Sequence, residues 1–357
     1  MRPAIKAGLL MVWRDPDTLQ IGIDPRRAVA LRGMRGTETL INLLDGSRDL
    51  GQVLAAAHDE GIGRRAAERV LGLLAAAGAL YDFPAATLRA LPDGPRARLA
   101  GELATVSLAH GYADGGALVL ARRQAASVRV HGAGLVAASL ASLLTASGVG
   151  RVSVTGAAAG PPGGDPPGTG SAGPGSAGPG SGLASWPPAG RVRLGQPGGD
   201  GPPGARRAGP ASRRRPDLAV LTDGYPPELP GILVAGAVAH LTAAAAEAIG
   251  VVGPLVIPGR TACLNCVDLA RSDRDPAWPL ILAQASGRAS QPAACAAALA
   301  AAVAAQATAQ ALAYLDQAAP GPAVINGTLE LVLPGWQWRR RSWPAHPQCR
   351  CSRSPAS

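Results

Sequence analysis

A chain of 357 residues that is 47% apolar and only 16% charged can bury one large or two medium cores, which excludes a wholly disordered protein. The net charge of +10 is carried almost entirely by arginine, with Lys6 the sole lysine; the charge is scattered and not interleaved with aromatic platforms, so no nucleic-acid partner is expected. The apolar run Gly8–Trp13 meets Arg14 and Asp15 at once, and the later run Ala293–Leu315 is alanine-rich and broken by Gln306 and Gln310, so neither a secretory leader nor a membrane span is expected.

In chain order, Leu9–Trp13, Leu19–Ile23 and Ala28–Leu31 read as short strands separated by Asp-Pro turns. From Thr37 the apolar period becomes helical. Leu40, Leu43 and Leu44 mark a first helix, Ser47–Glu60 a second, and Arg64–Ala77 a third that Gly78 would close. With a short strand at Leu80–Tyr81, these elements describe a winged-helix-like α+β module over residues 1–83. A connector over 84–124 contains helix and little chemistry.

Next, Val128–Val130 reads as a strand, Gly132-Ala133-Gly134 as a tight turn, Leu135–Ala146 as a helix and Arg151–Val154 as a second strand: a βαβ unit. Residues 156–212 are nearly pure Gly, Pro, Ala and Ser. They cannot bury enough apolar surface to offset ordering entropy, so a disordered insertion is expected there. Beyond it come a strand at Asp217–Thr222, a helix near Pro227–Ala237, a strand near Leu241, a hairpin from Val251 to Ala262, a long helix at Pro292–Asp316 and a strand at Thr328–Leu333.

The cysteines carry the clearest chemical signal. Cys263 and Cys266 form a CxxC pair after the expected hairpin, and Cys349 and Cys351 a CxC pair. Such spacing lets four thiolates surround one structural Zn²⁺ tetrahedrally, in a reducing, cytoplasmic setting; two unrelated thiol pairs are the alternative, and His346 is a substitute ligand. Cys295, at the start of a helix, reads as a buried small residue or as a thiol activated by the helix dipole. The turn Gly132-x-Gly134 follows a strand and opens a helix, the context in which backbone amides receive a phosphate, although a purely structural turn fits equally. No acidic residue ends the next strand to hold a ribose, which argues against a nicotinamide oxidoreductase.

VRVHGAGLVAASLASLLTASGVGRVSV (Val128–Val154), DLAVLTD (Asp217–Asp223) and VVGPLVIPGRTACLNCVDL (Val251–Leu269) together resemble the ThiF-type, ubiquitin-activating-enzyme-like adenylating domain, over residues 125–351. The resemblance implies an α/β, Rossmann-like ThiF-type domain with structural zinc, in which Gly132 and Gly134 face ATP and Asp223 holds Mg²⁺ as its catalytic carboxylate. That family also uses an acidic residue after the second strand, a following Asn/Arg segment and a lysine. The insertion occupies that part of this chain, and Lys6 lies in the other module.

LQIGIDPRRAVALRG (Leu19–Gly33) and the later LLAAAGAL are similar to the leader-peptide recognition element of ribosomal peptide natural-product (RiPP) pathways. The resemblance implies that a precursor leader adds as a strand beside Ala28, Val29, Ala30 and Leu31 and packs on the third helix near Arg64, Arg65 and Arg69. A DNA-binding or purely structural module is the other reading. The two likenesses together match the partner proteins of azole/azoline-peptide (TOMM) biosynthesis. They imply a leader-peptide-binding scaffold for a modifying enzyme such as a cyclodehydratase, with a homodimer expected from the family. The alternative is an ATP-dependent adenylyltransferase that activates a peptide or small-protein C-terminus.

Overall fold

Hydrophobic positions spaced for strand and helix near the amino end assemble a module with its own core. The computed structural model describes residues 1–25, 28–82, 93–112, 114–156, 215–286 and 295–352. Strands β2 (Met11–Asp15), β3 (Thr18–Ile21) and β4 (Val29–Arg32) form a three-stranded antiparallel sheet in the order β2-β3-β4. Helices α1 (Glu38–Asn42), α2 (Leu50–Asp59) and α3 (Arg64–Ala76) follow, and Leu19, Met34, Leu40, Val53, Val70 and Leu74 are buried among them. Asp49 and Gln52 cap α2 reciprocally, each side chain bonding the other's backbone N–H at 2.9 Å. Gly78 and Ala79 donate to the carbonyls of Ala75 and Leu74, ending α3 where a terminating glycine is expected. Strand β1 (Pro3–Ile5), too short to show a period, pairs with β5 (Leu80–Asp82).

Helices α4 (Asp93–His110) and α5 (Ala117–Ala125) occupy the connector. They carry more chemistry than expected. Arg123, buried on α5, grips Asp316 with two hydrogen bonds of 2.8 and 2.6 Å, and also donates to Glu102 and to the Ser147 carbonyl. Lys6, also buried, donates from Nζ to the Ser107 carbonyl on α4 at 3.1 Å.

The remaining elements build a mixed α/β layer around a seven-stranded sheet of order β12-β11-β10-β9-β8-β6-β7. β6 (Ser127–His131), β7 (Arg151–Thr155), β8 (Leu218–Leu221) and β9 (His240–Ala246) run parallel. β10 (Ile249–Val256), β11 (Gly327–Val332) and β12 (Gln337–Ser342) continue the sheet antiparallel. Helix α6 (Gly134–Ala146) joins β6 to β7, and the long α10 (Ala297–Leu315) lies beside it on the same core. The stripe Leu299, Val303, Ala307 and Ala311, one residue per turn, is buried there; alanine lets helix and sheet approach closely. Among the described residues α10 is the one helix long and apolar enough to cross a membrane, and half of it is buried in this core. α7 (Leu229–Ala235), α8 (Leu264–Ser272) and α9 (Trp278–Ser286) complete the set.

Residues Met1–Gly156 and Pro216–Ser357 form one compact unit. Apart from Gly156, the insertion expected over 156–212 lies outside the described residues. The hairpin expected from Val251 to Ala262 is displaced. It is formed by β9 and β10, turning at Glu247 and Ala248, which both have positive φ. Poly-alanine at Ala243–Ala246 carries little strand propensity, and the Pro258-Gly259 turn leads into α8 instead of a return strand. β12 was not foreseen either, because Arg339-Arg340-Arg341 reads as a solvated run and not as a sheet edge.

Candidate metal centre and strand-end turn

Cys263 is the N-cap residue of α8 and Cys266 lies one turn further on, so both sulfurs face the same side. The chain returns beyond β12 to bring Cys349 and Cys351 against them, the latter within a short 3₁₀ turn at Arg350–Ser352. Sγ–Sγ distances are 3.8 Å for Cys263–Cys266, 3.5 Å for Cys263–Cys349 and 3.3 Å for Cys266–Cys351, and all four sulfurs lie within 4.8 Å of one another. A tetrahedral ion with metal–sulfur bonds of about 2.3 Å requires separations of roughly 3.8 Å. The four cysteines therefore could hold one metal ion, and no position would be left open for a substrate.

Three of the four cysteines are buried. Burial pushes the Cys263 thiol up to about 11 and also raises Cys351. Burial opposes ionisation at Cys349 too, but hydrogen bonds from the Cys351 backbone and from Asn265 Nδ2, at 3.2 Å, bring it down to about 7. His346 is engaged elsewhere: Nε2 meets Asp273 Oδ2 at 2.9 Å and Nδ1 accepts from the Gln348 N–H. Cys295 is a half-buried thiol, raised by burial and by the Asp223 carboxylate, and stands apart from the four.

The second candidate site lies at the carboxyl ends of the neighbouring parallel strands β6 and β8; the chain passes from β6 to β7 on one side and returns to β8 on the other, the kind of switch point at which open α/β sheets form a crevice. Gly132 follows β6 with φ +127. A β-carbon there would fall 2.2 Å from Thr222 Oγ1 and 2.6 Å from the Asp223 carbonyl, so only glycine fits. The Gly132 N–H donates to the Thr155 carbonyl (2.9 Å) and the Ala133 N–H to the Asp223 carbonyl (3.0 Å). These two amides are taken up by the protein's own strand ends, whereas the amides a phosphate would meet are those of the first turn of α6, from Gly134 onward. Gly134 opens α6, and among the described residues nothing lies within 4 Å of where its β-carbon would stand.

Gly132 and Asp223 are thus brought together through backbone. The Asp223 carboxyl is partly buried, and burial raises it above the usual carboxylate range. His131, which sequence reasoning passed over, ends β6. Its Nδ1 lies 2.9 Å from Thr155 Oγ1, its Nε2 is buried with no hydrogen-bond partner among the described residues, and burial, then the nearby Arg129, depresses its pKa. A histidine between a strand and a glycine turn is the signal that could have found it. Lys6 is committed to Ser107 as described.

In the amino-terminal module β4 pairs only with β3, so its outer side is an edge among the described residues. Val29 is half-buried, Ala30 is exposed, and Leu31 points into the core. Ala28 precedes the strand. Arg69 on α3 donates from Nη2 to the Gly33 carbonyl at 2.6 Å, bridging helix and strand end. Arg64 pairs with Glu68 at 2.8 Å, and Arg65 is exposed.

A sheet with a parallel half around a glycine turn, an antiparallel half, and a split cysteine cluster describes a ThiF-like α/β fold. No protein-family profile and no curated protein matches this sequence. Solved structures share the fold. The heterocyclase TruD superposes with a TM-score of 0.60 at 17% identity over 98% of this chain. A heterocyclase in complex with substrate and cofactor gives 0.57 at 16% over 96%. This chain spans only 42% and 38% of those two proteins, respectively. MccB of E. coli, in complex with AMPCPP and MccA, gives 0.59 at 12% identity over 99% of both chains.

Proposed function

We propose that this chain is a leader-peptide-binding partner protein in the biosynthesis of ribosomally made, azole- or azoline-type modified peptides, and that its ThiF-like domain is a scaffold. The observation that carries the reading is the absence of a phosphate-facing lysine: the sole lysine, Lys6, is buried against Ser107. Removing one such preorganised group typically lowers a rate by about 10²–10³. The Gly132 and Ala133 amides are also bonded within the protein. The fold shared with heterocyclases and with MccB, which binds MccA, is consistent with a peptide partner.

On this reading residues 1–83 are a winged-helix-like recognition domain, 84–124 a connector and 125–351 the ThiF-type domain. The leader adds as a strand along Ala28–Leu31 at the edge of β4, with its side chains over α3 near Arg64, Arg65 and Arg69. β-augmentation uses backbone groups, so the inward-facing Leu31 is no obstacle. The metal is zinc and its role is architectural. A cyclodehydratase is the expected partner enzyme, and the scaffold works as a homodimer in the cytoplasm. Fluorescence anisotropy with the leader peptide encoded beside this gene tests the proposal. Binding in the micromolar range supports it, and none at tens of micromolar removes it.

One observation favours a second reading, that of an active ATP-dependent adenylyltransferase. Asp223 lies two residues beyond β8 with its carbonyl beside Gly132, Gly134 is open among the described residues, and MccB has been seen with ATP. Here Asp223 would hold Mg²⁺. Peptide-dependent ATP–pyrophosphate exchange would establish this reading, and a blank would exclude it.

A further inference from the structure

Beyond β12 the chain turns under α8, where three arginines surround one indole. Trp343 is buried, and its Nε1 donates to Thr328 Oγ1 at 3.0 Å. The guanidinium carbons of Arg271, Arg341 and Arg274 stand 5.5, 5.5 and 5.8 Å from its ring centre. The electron-rich ring face attracts cations and so holds these side chains at one place on the surface. Next to them is a cavity of about 460 Å³ whose walls include Arg274, Trp343, Asp273 and His346.

The charges are only partly balanced. Arg341 meets Glu330 at 3.4 Å, and Asp273 is paired with His346. Arg274 has no ion pair among the described residues. Ser342, the last residue of β12, also lines the cavity, so the cavity lies at the end of an edge strand. Arg339 and Arg341 alternate along that strand on the face that carries the Thr328 and Glu330 side chains.

We propose that this cavity and the adjoining edge of β12 dock an acidic, extended peptide segment of a partner protein. Among the described residues the edge offers unpaired backbone donors and acceptors, and the arginines receive carboxylates. A second copy of this chain is disfavoured as the occupant, because edge-to-edge pairing would oppose Arg339 and Arg341 to their own kind. Nucleic acid is disfavoured because Trp343 is buried beneath the arginines and presents no stacking platform. The site is separate from the leader-peptide reading, which uses β4 and α3.

The test uses the full-length protein and a fluorescently labelled, acetylated hexaglutamate peptide, with hexaglutamine as control, read by anisotropy at several salt concentrations. Saturable, salt-sensitive binding of hexaglutamate alone is expected. Arg274→Glu should weaken it at least about tenfold with only a small change in melting temperature, since that side chain makes no ion pair among the described residues and loses only its contact with the Trp343 ring. Gln348→Trp, which obstructs the cavity from an exposed position, should give a similar loss with every arginine in place. Arg64→Glu/Arg65→Glu in the amino-terminal module should bind as the wild type does. No saturation below about 1 mM overturns the proposal. So does wild-type binding by Arg274→Glu or Gln348→Trp, or an equal loss in the amino-terminal variant.

Discussion

Replacing Gly132 by alanine separates a structural turn from a phosphate-binding one. The new β-carbon would stand 2.2 Å from Thr222 Oγ1 and 2.6 and 2.8 Å from the carbonyl oxygens of Asp223 and Thr222. Two of these atoms are backbone, so the chain just beyond β8 must move. Forcing an alanine to φ +127 costs about 1–3 kcal/mol. Displacing packed atoms adds about 1–3 kcal/mol. The sum is a loss of about 2–6 kcal/mol. At roughly 2–4 °C per kcal/mol for a domain this large, melting should drop by about 4–24 °C. Gly134→Ala is the control: φ is +81 with nothing within 4 Å, so only the left-handed backbone is penalised, by about 1–2 kcal/mol. Thermal unfolding followed by circular dichroism, with and without ATP and Mg²⁺, reads both variants. On the scaffold reading, nucleotide leaves every melting temperature unchanged. A Gly132→Ala protein that melts within about 2 °C of the wild type, or more stably than Gly134→Ala, would refute the reasoning.

Metal analysis of the purified protein should find about one zinc per chain, and Cys349→Ser should lower the melting temperature without selectively removing a binding activity. Zinc-free protein with unchanged melting would contradict this. Arg123→Met leaves the Asp316 carboxylate buried without its partner and should lose about 3–5 kcal/mol in urea unfolding, whereas the Arg123→Met/Asp316→Leu double variant recovers most of it. Equal losses in the two proteins would show that the pair is not the cause. His240 is fully buried, with Nδ1 on the Val238 carbonyl and Nε2 unpaired among the described residues, and burial holds its pKa below the ordinary 6.5. The unfolded chain therefore binds this proton more readily, and the contribution of His240 to stability is lost as pH falls below about 6.5. His240→Asn should flatten that part of the stability–pH curve, and an unchanged slope would exclude His240 as the source.

Much of the mixed α/β layer was legible because its signals are local. A strand, a glycine turn and a thirteen-residue helix share one window at Ser127–Ala146, and the cysteine spacing needs no knowledge of packing. What was missed depends on distant partners. β1 and β5 are three residues each and exist through their mutual pairing. β12 is held by β11 despite its arginines, and Arg340 is tied down by the carbonyls of Ala323 and Ile325, which no neighbouring residue foretells. Arg123 resembled any helix-surface arginine until Asp316, far along the chain, closed over it. At the candidate nucleotide site the glycines were readable. That the Gly132 and Ala133 amides bond to the carbonyls of Thr155 and Asp223 depends on how three strand ends meet.

The cysteine cluster has a temporal consequence. Its two halves are separated by 86 residues between Cys263 and Cys349. At synthesis rates of about 5–20 residues per second, the first pair waits roughly 4–17 s for the second. During that interval the CxxC half has only two sulfurs to offer, and α8 has nothing to anchor it from the far side. Every strand of the sheet has then been synthesised before an ion could be enclosed by all four sulfurs. Metal capture would act as a late latch that secures an assembled layer, not as a nucleus around which the layer forms.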